Sequence, residues 1–171
     1  MCIDDVIQVD SREKNKDIAE EIKNLGYRVN VTKICSGDYR NDMYAPVIVE
    51  RKQNLQELAN NLTNKMNYQR LIREIDRTPT RQQIVFLVTQ NDYISGNQLI
   101  HINNFGDIVN WYGYRPAIHN GQNIINKITE LMKNYQPGKI QIKFCEQKNT
   151  VIAREIIGIL STDTSTEAIT A

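Results

Sequence analysis

The feature that most narrows what this chain can fold into is an unbroken apolar run, Ile84-Val85-Phe86-Leu87-Val88. A run with no polar alternation offers no face to water, and its β-branched and aromatic content suits a strand, so it reads as an interior strand covered on both sides. Such a strand needs helices above and below, and the flanking patterns supply them. Val6–Asp10 reads as a first strand. Ile18, Ile22 and Leu25 fall at helical spacing in residues 15–25, and Gly26 stands where that helix stops. Tyr27, Val29 and Val31 alternate with polar residues as a strand with one buried face. After a turn at Ser36-Gly37, Pro46 opens Val47-Ile48-Val49, a buried strand running straight into Glu50-Arg51-Lys52.

Leu55, Leu58, Leu62, Met66, Leu71 and Ile75 predict one long amphipathic helix, ended near Thr78-Pro79. Residues 90–120 are polar, rich in Asn and Gly, and without clear periodicity. Ile124, Ile128 and Leu131 predict a helix over 123–135, Ile140, Ile142 and Phe144 alternate as a last strand, and residues 151–160 form a last helix. Strands alternating with helices predict a three-layer α/β domain around a mixed or largely parallel sheet. It is expected to occupy residues 1–160, with the Thr/Ser-rich 161–171 as a disordered tail.

Composition removes several function classes. No apolar run approaches the ~20 residues of a membrane span. The start Met-Cys-Ile-Asp-Asp lacks the basic-then-apolar pattern of a signal peptide, so a cytoplasmic location is expected. Twenty-one basic and 20 acidic residues leave a net charge of +1, so any grip on a polyanion must come from local clustering. Three cysteines without a Cys-x-x-Cys pair, and two histidines (His101 and His119), exclude a disulfide framework and an all-cysteine zinc site. Metal chemistry, if present, falls to carboxylates.

Charged clusters stand where strands end, the place at which open α/β sheets bind ligands. They are Asp10-Ser11-Arg12-Glu13, Gly37-Asp38-Tyr39 and Glu50-Arg51-Lys52. In a strand, Glu50 and Lys52 project to one face and Arg51 to the other. Each cluster has a plain structural reading: a solvated strand end, a turn aspartate, a pair of helix-capping acids. Together they meet the needs of metal-dependent phosphodiester hydrolysis. Mg²⁺ is satisfied by one or two carboxylates, a backbone carbonyl, waters and the scissile phosphate. Such an ion polarises the phosphate and acidifies a bound water, and Lys52 is placed to orient that water and offset developing charge.

Val9-Asp10-Ser11-Arg12-Glu13, Gly37-Asp38-Tyr39 and Val49-Glu50-Arg51-Lys52, in that order, resemble the nuclease domain of the XPF family of structure-specific endonucleases, part of the PD-(D/E)XK superfamily. The resemblance spans most of residues 4–160 and is poorest over 90–135. It implies a restriction-endonuclease-like fold, with a central mixed β-sheet flanked by helices. It also implies Mg²⁺ (or Mn²⁺) as cofactor, branched or partly single-stranded DNA as substrate, and a homodimer. On this reading Asp38, Glu50 and the Arg51 carbonyl hold metal, with Glu13 and Asp10 completing the acidic site or binding a second ion, so Glu13 is a metal residue too. Lys52 positions the attacking water, and Arg12 and Arg51 brace carboxylates or the phosphate. Small size and an Asn/Ile/Lys-rich composition associate the chain with phage-type versions acting in replication, recombination or repair.

Two departures stand out. The family's last motif aspartate falls on Gln56, with Glu57 beside it, and nothing after residue 160 could form the tandem helix-hairpin-helix domain of larger relatives. Gln56 motivates an alternative, a non-catalytic DNA-binding or scaffolding subunit that keeps the fold. For DNA contact, Arg70, Arg73 and Arg77 share one helical face. The competing reading is a solvated face with an Arg70–Glu74 pair. Trp111, Tyr112, Tyr114 and Arg115 are read as packing a loop or a dimer contact sooner than as stacking on bases.

Overall fold

The computed structural model describes residues 6–89, 93–95, 98–99 and 121–161. Within them the chain runs β1 (Val6–Asp10), α1 (Asp17–Asn24), β2 (Arg28–Thr32), β3 (Tyr39–Arg40), β4 (Val47–Lys52), α2 (Leu55–Thr63), α3 (Lys65–Arg77) and β5 (Gln83–Thr89). A short antiparallel pair, β6 (Tyr93–Ser95) and β7 (Gln98–Leu99), follows. Then come α4 (Gly121–Lys133), β8 (Ile140–Cys145) and α5 (Asn149–Ser161). Among the described residues no helix is long and apolar enough to cross a membrane. The aromatic cluster at 111–115, both histidines and residues 162–171 lie outside the described residues.

Six strands form one sheet in the order β2-β1-β3-β4-β5-β8. β3 is antiparallel to both its neighbours, while β1–β2, β4–β5 and β5–β8 are parallel, so the sheet is mixed. β5 sits inside the sheet with residues 84–89 all buried. Its alternate residues feed two separate cores. Ile84, Phe86 and Val88 pack with side chains of α2, α3 and α4, and Val85 and Leu87 pack with those of α1 and α5. That two-sided burial is what its unbroken apolar sequence demands.

Two expectations need correction. The single helix expected from Leu55 to Ile75 is two helices, because Asn64 leaves the helical region (φ −82°, ψ 123°) and its side chain accepts from the Met66 and Asn67 amides. An Asn that bonds the next helix's free amides stops one helix and starts another. Val31, expected on the buried face of β2, is 57% exposed. β2 is an edge strand, so only Tyr27 and Val29 reach the core. β3 has two residues and falls inside what reads in sequence as a turn.

Candidate active site

A short backbone frame brings the motif residues together. The Asp38 amide donates to the Val49 carbonyl (2.8 Å), and the Asp10 amide to the Asp38 carbonyl (2.7 Å). The Arg51 amide donates to Asp38 Oδ2 at 2.9 Å. Asp38 is thereby tied to both β1 and β4. Gly37 makes the turn possible: its φ is +74°, and a Cβ there would collide with the Ile48 side chain.

Strand alternation then sorts the charges by face. Ile48, Glu50 and Lys52 share one face, and Val47, Val49 and Arg51 share the other. On the first face Lys52 Nζ lies 3.1 Å from Glu50 Oε1 and 5.6 Å from the centroid of the Phe86 ring. The Thr89 hydroxyl donates to the Lys52 and Gln53 carbonyls (3.2 and 2.9 Å) and pins the end of β4. Burial, and then the charge of Asp38, push the Glu50 carboxyl well above its ordinary range. Burial, followed by the charge of Glu13, pushes Asp38 up to about 7, against the opposing Arg51 amide. For Lys52 burial favours the neutral amine, but Glu50 and Glu74 outweigh it, so the pKa is raised and the ammonium persists at neutral pH.

On the second face every acid is already answered. Arg51 reaches Glu13 through Nη2 (2.8 Å) and Nε (3.1 Å), and Glu13 also accepts from the Tyr39 hydroxyl (3.1 Å) and the Asn15 amide (2.9 Å). The pair is deeply buried, with Glu13 5% and Arg51 9% exposed. Burial works against the Glu13 charge, and the Arg51 bonds overcome it, leaving the pKa lowered. Asp10, at the end of β1, is treated alike. Arg12 donates to it through Nε (2.8 Å), Nη2 (2.9 Å) and its own amide (2.7 Å), and the Ile34 amide adds a fourth bond (2.8 Å). Burial opposes its ionisation, but these donors hold the carboxyl at about 2.

The structure therefore brings Asp38, Glu50 and Lys52 together. It places Glu13 with Arg51, and Asp10 with Arg12, as closed ion pairs. Arg70, Arg73 and Arg77 lie exposed along α3. The Arg70–Glu74 pair does not form; Glu74 accepts instead from the Gly37 amide at 3.3 Å. Cys35, near Asp38, is exposed.

Two residues escape a sequence reading of the site. One is Glu74, masked by a plausible surface pairing. The other is Glu57, whose Oε2 accepts from the Gln53 amide (2.6 Å) while Asn54 accepts from the Glu57 amide (2.8 Å). Gln56 is turned away to Asn60 (3.1 Å). Glu57 thus sits in the cap of α2, and the Asn54-x-x-Glu57 capping pattern was the available signal.

Among the described residues no three His, Cys, Asp or Glu side chains form a ready-made metal cage. Two hard carboxylates with no arginine partner are nonetheless a donor set that suits a hydrated Mg²⁺, which takes one or two protein carboxylates and completes its shell with water and phosphate. Asp38 and Glu50 fit that pattern.

A mixed six-stranded sheet flanked by helices, with a Gly-Asp turn set against a Glu-x-Lys strand, defines an α/β fold of the XPF type. The chain belongs to the ERCC4 domain family, whose sequence profile matches residues 9–153. Its fold is similar to XPF from Aeropyrum pernix, with 17% identity and a TM-score of 0.61 over 91% of this chain and 63% of that one. It is also similar to XPF from Aeropyrum pernix in complex with DNA, with 16% identity and a TM-score of 0.57 over 94% of this chain and 68% of that one. The chain thus spans about two thirds of the length of these structures. No curated protein sequence matches it.

Proposed function

We propose that this chain is a DNA endonuclease that hydrolyses phosphodiester bonds with Mg²⁺ or Mn²⁺ bound at Asp38 and Glu50. The observation that carries the reading is this pair of carboxylates, left without a neutralising arginine, beside a lysine held as an ammonium. Asp38, Glu50 and the Arg51 carbonyl hold the ion. When bound, the ion supplies Lewis acidity to the phosphate and to a water. Lys52, kept protonated by Glu50, donates a hydrogen bond to that water or to a phosphate oxygen and offsets the charge that accumulates there. Being cationic, it acts as a donor and not as a base. Glu13 fixes Arg51 and Asp10 fixes Arg12, so the two arginines brace the site. The Arg12 side chain is 62% exposed, and its Nη1, outside the Asp10 pair, is the donor that would meet a phosphate.

Arg70, Arg73 and Arg77 form a cationic stripe that engages the DNA backbone. Family membership and the DNA-bound XPF structure support DNA as the polymer, and branched or partly single-stranded DNA is the proposed form. We read the working unit as a cytoplasmic homodimer. The test is incubation of the purified chain with labelled flap, fork, four-way junction and plain duplex, with and without Mg²⁺. Cleavage of a branched substrate only with metal is expected, and no cleavage of any substrate contradicts the reading. The second reading, a non-catalytic DNA-binding subunit, is favoured by the outward-facing Gln56. It predicts DNA binding without cleavage and no effect of Lys52→Ala.

A further inference from the structure

Glu74 belongs to none of the motifs, yet it reaches the site from α3. Its Oε1 accepts from the amide of Gly37, the residue before Asp38, at 3.3 Å. One helical turn later the Thr78 hydroxyl meets the Ser36 hydroxyl at 3.1 Å. The end of α3 is therefore stitched twice to the turn that carries Asp38. Arg70, Arg73 and Arg77 lie within a turn of Glu74, yet it forms no ion pair among the described residues. Its charge acts on Asp38, Glu50, Lys52 and Arg12, residues contributed by separate parts of the chain. A third carboxylate beside two others is unfavourable until something positive arrives. Because no three acids form a cage, Glu74 works from behind the ligands.

Resting on the nuclease reading above, we propose that Glu74 is a positioning residue of the metal site: it fixes the Gly37–Asp38 turn and adds the negative charge that draws a divalent cation to Asp38 and Glu50. Residues that orient or polarise metal ligands from outside the coordination shell typically contribute about 10- to 100-fold in affinity. Glu74→Gln keeps an acceptor for the Gly37 amide and loses the charge, whereas Glu74→Ala loses both.

The experiment is a calorimetric Mn²⁺ titration of the full chain and both variants without DNA, paired with metal-free melting temperatures. Glu74→Gln is expected to weaken Mn²⁺ binding about tenfold and Glu74→Ala by up to about 100-fold. Glu74→Gln also leaves the metal-free melting temperature unchanged or higher, because a like charge is removed, and its cleavage recovers when Mn²⁺ is raised. Wild-type Mn²⁺ affinity in Glu74→Gln overturns the proposal. So does a lowered melting temperature with unchanged affinity, the signature of a purely structural residue. The nuclease reading fails by a different result: a wild-type chain that takes up no Mn²⁺ at millimolar concentration.

Discussion

The four motif carboxylates divide into two pairs that sequence treats alike and the fold treats oppositely. Asp10 and Glu13 each receive an arginine and several further donors, and their carboxyl groups are held low. Asp38 and Glu50 are half-buried and act on one another, with Lys52 paired to Glu50, and theirs are pushed up. The first pair spends its charge on holding the strands and arginines in place. The second has no arginine partner and holds its protons to higher pH. On the proposed reading, a run of acids at strand ends is two devices: a closed frame, and a site for a cation.

Glu13 gives the largest expected effect. Breaking a buried ion pair by removing one partner leaves an uncompensated charge, at about 3–5 kcal/mol. Glu13→Gln strands Arg51 and should lower stability by that order, as chemical denaturation would measure. Asp38→Asn makes the opposite demand. It should reduce metal-dependent cleavage by about 100-fold or more, while the metal-free melting temperature stays level or rises. A variant pair that destabilised equally would erase the contrast.

The pH dependence sharpens it further. Asp10 and Glu13 have folded pKa values below their unfolded ones, so their stabilisation is complete above about pH 4 and is lost as pH falls. Asp38 and Glu50 have raised values, so the folded state binds more protons than the unfolded one from about pH 4 upward. Their stabilisation is present at low pH and is lost as pH rises through the folded value, about 7 for Asp38. Metal-free melting temperature should therefore decline between about pH 5 and 8. Saturating Mg²⁺ should flatten the decline by replacing the protons, and calorimetric melting at several pH values checks both statements. The smallest effect tests the frame away from the site: Asn64→Ala, which removes the cap of α3, should cost about 1 kcal/mol and leave Mn²⁺ affinity unchanged.

Much of this was legible in sequence because strand and helix periods are local. The unbroken run at Ile84–Val88 announced a strand buried on both faces, and alternation put Glu50 and Lys52 on the side opposite Arg51. Asn64 was missed because apolar spacing continues across it; only its bonds to two amides reveal that the helix restarts. The partition of the acids was not legible at all. Whether Glu13 meets a metal or Arg51 depends on side chains 38 positions apart in the chain. Glu74 was hidden for the same reason, since local spacing offered it Arg70 and the tertiary fold offered it Gly37.

A metal-free ¹³C carboxyl titration of the intact chain tests the division between the two acid pairs most directly. Asp10 should protonate near 2 and Asp38 near 7, with Glu13 below and Glu50 above the ordinary glutamate range. Four carboxyl groups titrating together in the ordinary range would contradict it.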